Sequence, residues 1–293
     1  MKLATYLANG QRHVGLVDTD RQQVTPIALS PQQTSRGVLS VIELLAAGHP
    51  MPATSGAAVA LDAVQLDAPL PVPRRNVWCV GRNYRAHAAE LSGSVFKNND
   101  NDPSRWPIVF TKVPECVVGP YDEVLIPAGV SSQIDYEAEL AVVIGKGGKN
   151  ITPAEALDHV FGYTVVNDVT ARDVQMRHQQ WDMGKSFDTF CPMGPWLVTA
   201  DELDGTRTRV RCWVNDELRQ DGLTSDLIFD IPTLIATCSR GITLYPGDII
   251  ATGTPAGVGM GMTPPTYLRQ GDRVRVEVDG IGAIENRFVG DAA

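Results

Sequence analysis

The chain has no apolar run near the ~20 residues that a membrane span needs. Met1-Lys2-Leu3-Ala4-Thr5 begins no secretory signal, so a cytoplasmic protein without a membrane partner is expected. Positive charge is scarce, with 25 Lys and Arg against 34 Asp and Glu and a net charge of −9. That balance argues against nucleic acid or an anionic surface as the main partner. Cysteines are few and odd in number, spread over positions 79, 116, 191, 212 and 238 with no C-x-x-C pair. A zinc ribbon or a redox couple is therefore unsupported, and reduced, buried thiols are expected. There is no internal repeat. What remains is an ordinary globular composition, 43% hydrophobic and 20% charged, long enough for one large domain or a large and a small one.

Three familiar site patterns fail. Gly184-Lys185-Ser186 ends like a phosphate loop, but position 179 is Gln where that motif needs glycine. Ser186 has no nucleophile-elbow context. Asp100-Asn101-Asp102 lacks the glycine and the final glutamate of a calcium loop.

The elements are short. Leu3–Ala8 and Val14–Val17 flank Asn9-Gly10, a hairpin signal. Ser40-Val41-Ile42-Glu43 reads as a capping box, with Leu39 and Leu44 as a staple and Gly48 as a stop, so a helix over Val41–Ala47 is expected. The proline-rich run from Asp67 to Arg75 predicts an extended linker and a boundary between residues 1–70 and 71–293. Beyond it, strands are predicted at Val77–Val80, Ile108–Thr111, Leu140–Ile144, Tyr163–Val166, Val210–Val214, Ile249–Thr252 and Arg273–Val278. Helices are predicted at Pro153–Leu157, Thr170–Gln180 and Ile231–Ser239. No regular βαβ rhythm appears, so the expected class is a β-rich, mixed α+β fold. The polar stretch Ser92–Ser104 reads as a mobile surface loop.

Carboxylates carry the strongest chemical signal. Glu137 and Glu139 precede the apolar run Leu140–Ile144, and alternation along a strand puts both on one face. Asp168 closes the apolar run Tyr163–Val166. Three acids brought together repel unless a cation sits between them, and all-oxygen ligation suits magnesium or manganese; three solvated or salt-bridged acids are the plainer reading. Thr170 and Asp173 suggest a helix N-terminus that places Arg172 and Gln175 on one face near Asp168. An Arg and a Gln there suit a substrate carboxylate or carbonyl, or simply a solvated face. Lys185 stands between Trp181 and Phe187, where desolvation lowers its pKa or makes it an electrophilic donor. Glu90 lies one helical turn after His87, either a base with its tautomer fixed or a surface ion pair. Gly253–Gly259 is a glycine-rich turn in which Thr254 can offer a hydroxyl and an N–H, unless it is only a tight turn.

In order, Val80-Gly81-Arg82-Asn83-Tyr84 with His87 and Glu90, Asp135–Leu140, Asn167–Gln175, Gly184–Phe187 and Gly253–Gly259 resemble the fumarylacetoacetate hydrolase family. The likeness is to its bacterial two-domain branch and runs from Val77 to the end, with residues 1–70 resembling that branch's small N-terminal α+β domain. The resemblance implies a mixed β-roll, usually a homodimer, with one magnesium or manganese ion per subunit on Glu137, Glu139 and Asp168. It implies that His87 and Glu90 activate water, that Lys185 polarises the substrate, and that Arg172, Gln175, Thr254 and Tyr84 bind it. The founding hydrolase has a fourth acid where Val80 stands seven residues before His87, which marks the three-acid branch. That branch includes acylpyruvate hydrolases, oxaloacetate decarboxylases, and isomerases or decarboxylases of hydroxymuconate-type diacids. The leading expectation is hydrolytic C–C cleavage of a 2,4-dioxo acid through an enolate stabilised by the metal and Lys185. The alternatives are isomerisation or decarboxylation at the same site, or a non-catalytic oxo-acid-binding protein. The Ser92–Ser104 insertion lies beside the implied lid, where specificity is set.

Overall fold

Asn9 and Gly10 both adopt left-handed backbone angles (φ 52° and 72°) and turn strand Lys2–Ala8 back onto Gln11–Asp18, with Ala8 opposite Gln11. This is the hairpin that the sequence predicts. The structure is a computed structural model that describes residues 1–92, 105–177 and 180–290. Most of the polar insertion, and with it the expected surface loop, lies outside those residues.

Lys2–Ala8 belongs to a long mixed sheet. From it the order runs through Cys191–Thr199, Val160–Asn167, Ala138–Ile144, Ile249–Ala251, Val77–Gly81 and Ile108–Lys112. Every residue of Ala138–Ile144 is buried, because this central strand is covered on both faces, and after Glu139 it reads accordingly as one apolar run. A second sheet of five strands is built around Arg209–Val214, Arg273–Val278 and Gly282–Gly290. Arg273–Val278 alternates exposed or half-buried Arg and Glu with buried Val, as a strand with one covered face must. The β-rich α+β class expected from sequence is the class observed.

The N-terminal segment is stitched into this frame. Leu3 pairs with Leu197, and Leu3, Leu39, Ile42 and Leu70 share one apolar core with Leu140 and Ile250. The proline-rich connection is packed against that core. Ala68 and Leu70 are fully buried, and the Pro69 carbonyl accepts from Thr5 Oγ1 at 2.8 Å and from the Val38 N–H at 2.9 Å.

Three local expectations are corrected. The helix after residue 38 spans Leu39–Ala46, but Ser40 does not cap it. Ser40 Oγ donates to the Gln33 carbonyl instead, and Glu43 pairs with Arg36 at 2.5 Å. The capping box forms upstream, between Ser30 and Gln33, where Pro31 starts a short helix. The expected Thr170–Gln180 helix is one turn, Arg172–Gln175, followed by a second short helix at Asp182–Lys185. Thr170 pairs as a strand with Asp135 and turns its hydroxyl to the Asp168 carbonyl, so the cap position passes to Ala171. The helix expected at Pro153–Leu157 is a single 3₁₀ turn, Ala156–His159. Ile231–Ser239 is the helix predicted, capped by Asp230. All five cysteines are free and buried, and no helix among the described residues is long and apolar enough to cross a membrane.

Candidate metal and active site

Glu137 stands just before strand Ala138–Ile144 and Glu139 just inside it, so the pleat turns both away from Ala138. The end of the neighbouring strand is tied to them. Asn167 Oδ1 accepts the Glu137 N–H at 3.0 Å, and the Asp168 N–H donates to the Glu137 carbonyl at 2.8 Å. One oxygen from each of Glu137, Glu139 and Asp168 lies within 4.8 Å of the others, and all three residues are buried.

Buried acids at this spacing need counter-charge. Lys185 Nζ donates to Glu137 Oε2 at 2.7 Å and to Asp168 Oδ2 at 2.8 Å. Lys112 Nζ lies 2.8 Å from Asp168 Oδ1, and Arg172 reaches Glu137 Oε1 at 2.7 Å. Burial pushes the Glu137 carboxyl up, but Lys185 and Arg172 override it and hold the group at about 2. Glu139 behaves in the opposite way. Burial, with Asp168 and Glu137 beside it, raises its pKa well above the usual carboxylate range, although the Gly253 N–H donates to it at 2.8 Å. The donor set is thus all oxygen and short of positive charge at Glu139, which fits a hard divalent cation.

Glu137 and Glu139 line a cavity, and Asp168 is fully buried. His87 and Lys185 line it too, with Phe110 and Trp181 as its aromatic side. His87 is buried, and its Nδ1 lies 3.0 Å from Glu90 Oε2; the other Glu90 oxygen accepts the Gly257 N–H at 3.0 Å. That contact fixes the proton on Nδ1 and leaves Nε2 as the basic nitrogen. Lys185 Nζ also lies 4.8 Å from the centre of the Phe110 ring, so Phe110, as well as the expected Trp181, frames it. Gly81 has no room for a side chain, because a Cβ there would stand 2.4 Å from the Trp181 ring.

Arg172, Gln175 and Thr254 line the cavity as well, and each is held by the protein. Arg172 Nε is 2.8 Å from Asp135 Oδ2 and its Nη1 is 3.2 Å from Gln175 Oε1. Thr254 Oγ1 donates to the Ala138 carbonyl at 3.0 Å and accepts from Gln220 Nε2 at 2.7 Å. Tyr84 lies in the core outside the cavity lining, bridged through its backbone to Leu227.

The family described as fumarylacetoacetate (FAA) hydrolase C-terminal matches residues 76–289. The chain belongs to this family. Oxaloacetate tautomerase YisK of Bacillus subtilis is 52% identical over 229 residues, 78% of this chain and 74% of that protein. Among solved structures, a fumarylacetoacetate hydrolase from Exiguobacterium antarcticum is similar, with a TM-score of 0.86 and 41% identity over 99% of this chain and all of that one. Maleylpyruvate hydrolase from Sphingobium sp. SYK-6, solved with manganese(II) and pyruvate, has a TM-score of 0.76 and 31% identity over the full length of both.

Within this family frame, sequence reasoning passed over three residues of the site. Asp135 was quoted only as part of a motif, yet it anchors Arg172. Lys112 gave one faint signal, a lysine closing the apolar strand Ile108–Lys112, where it is fully buried. Arg82 follows the strand Val77–Gly81 and lines the cavity.

Proposed function

We propose that this protein is a divalent-metal-dependent enzyme that interconverts the keto and enol forms of a 2-oxo dicarboxylic acid, oxaloacetate first. One observation carries the reading: a buried base, His87, and a buried ammonium, Lys185, line the same cavity as Glu137 and Glu139, and Lys185 also reaches Asp168. The likeness to an oxaloacetate tautomerase supports it. Magnesium or manganese, held by Glu137, Glu139 and Asp168, supplies a Lewis acid for negative charge on the 2-oxo oxygen. We take the working unit to be a homodimer, as the family resemblance implies.

The chain's own groups move the proton. His87 Nε2 takes it from C3 of the keto acid, and Glu90 offsets the imidazolium that forms. Lys185 has three N–H donors, two of them engaged by Glu137 and Asp168, so the third is free to stabilise the 2-oxo oxygen. The His87 imidazolium then gives its proton to that oxygen to form the enol, and the reverse path restores the keto form. The aromatic side keeps bulk water from quenching the carbanion.

A second reading is hydrolytic C–C cleavage of a 2,4-dioxo acid, since the His87–Glu90 pair suits activation of water equally well. The two readings are tested by two assays on manganese-loaded protein. Decay of enol oxaloacetate, followed by absorbance, should be accelerated, and the acceleration should vanish on chelation. His87→Ala should cut it by ~10²–10⁴-fold while manganese binding persists. Chelator-resistant acceleration, or a fully active His87→Ala protein, sinks the tautomerase mechanism. Release of pyruvate from an acylpyruvate, followed by mass, favours the hydrolase.

A further inference from the structure

Two lysines share Asp168, and the proton transfers above use only one of them. Lys185 donates to Oδ2, while Lys112 Nζ lies 2.8 Å from Oδ1. Charge alone asks for no second ammonium at one carboxylate, and burying one is costly. Lys112 is nonetheless fully buried, and its other two N–H groups go to main-chain carbonyls. One carbonyl is that of Val169, at 3.1 Å, and the other is that of Lys185 itself. The side chain thus joins the acid that follows one strand to the backbone of the residue carrying the first ammonium.

That backbone needs holding. Helix Asp182–Lys185 is a single turn, far below the length at which a helix is stable by itself. The end of strand Ile108–Lys112 grips it at both ends. Thr111 Oγ1 donates to Asp182 Oδ1 at 2.7 Å, and the Val113 N–H donates to Ser186 Oγ at 3.2 Å. Between them Lys112 takes the Lys185 carbonyl. Phe110, two residues back and so on the same face of the strand, has its ring centre 4.8 Å from the Lys185 ammonium. Strand, helix and Asp168 are therefore locked together through one ammonium, that of Lys112.

We propose that Lys112 is a positioning residue: it fixes the Lys185 ammonium and the Asp168 carboxylate relative to each other, so that ammonium and ion meet the same substrate oxygen. The assignment rests on the metal-dependent reading of the site. Its test is a double-mutant cycle of Lys112→Met and Lys185→Met at saturating manganese, read by titration calorimetry as the dissociation constant of oxalate. Lys112→Met should weaken oxalate roughly 10-fold. Added to Lys185→Met, it should weaken oxalate no further, because it acts through that residue. Factors that multiply, or an unmoved constant in Lys112→Met, overturn the role of Lys112 and leave the metal-dependent reading standing. The second readout is the electron paramagnetic resonance spectrum of the bound manganese, which should change in Lys112→Met as Asp168 loses its Oδ1 partner. Lost stability alone moves neither readout, and an unchanged spectrum overturns the proposal. A Lys185→Met protein that binds oxalate like wild type overturns the role of Lys185 in the proposed function, and this assignment with it. Wild-type protein that binds no manganese overturns the metal-dependent reading itself. Should Lys112→Met not fold, Lys112→Gln carries the same outcomes.

Discussion

Asp135 is a fourth buried acid, joined to Glu137 through Arg172. Besides Arg172, it accepts the N–H groups of Tyr136, Gly259 and Met260 at 2.7–3.0 Å. Asparagine has the same shape but presents an NH₂ group to donors and leaves Arg172 short of charge. Asp135→Asn should therefore lose about 3 kcal/mol, lowering the thermal midpoint by several degrees. An unchanged melt would refute the claim that this pair supports the floor. Contacts of this kind also decide which residues could be read from sequence. His87 and Glu90 are three apart, so helical geometry alone brings them together. Asp135 and Arg172 are 37 apart and meet only because Ile134–Asp135 pairs with Thr170–Ala171, a pairing that no local pattern announces.

Among the elements, the turn after strand Ile249–Ala251 has the least freedom. Gly257 sits at φ 108°, and a Cβ there would lie 1.8 Å from the Arg219 carbonyl oxygen, so neither the backbone angle nor the space admits alanine. Gly257→Ala should push strand Glu217–Leu223 outward, lower the urea midpoint, and slow turnover by loosening Glu90. Wild-type values for both would mean that the turn yields more easily than its geometry allows. Strands made of β-branched runs, such as Ala138–Ile144 and Arg273–Val278, were legible from composition. Cys191–Thr199 was not, because Pro192, Gly194 and Pro195 read as a loop. It is a strand nonetheless, since its register with Val160–Asn167 slips between Tyr163 and Val165 and so leaves room for residues that cannot donate.

For the molecule as a whole, the sequence suggests a linker near residue 70, whereas hydrogen bonding runs through. Lys2–Ala8 extends the main sheet beyond Cys191–Thr199, and the N-terminal helix packs into the shared core, with Leu39 filling the space above Gly247. Removing residues 1–70 would bare both that strand edge and Leu140's apolar neighbours. The truncated protein should aggregate on expression, as judged by the soluble fraction. A soluble form with a cooperative melt would show that residues 71–293 stand alone. Long-range pairing of this sort was out of reach from sequence, because Leu3 and Leu197 meet through a register that only the folded sheet defines. The family model matches from residue 76, while the main sheet pairs strands from both sides of that position. An N-terminal segment exchanged from a relative would have to bring the phase of its first strand, Lys2 against Val198 and Leu3 against Leu197, or the graft would present its apolar side to solvent.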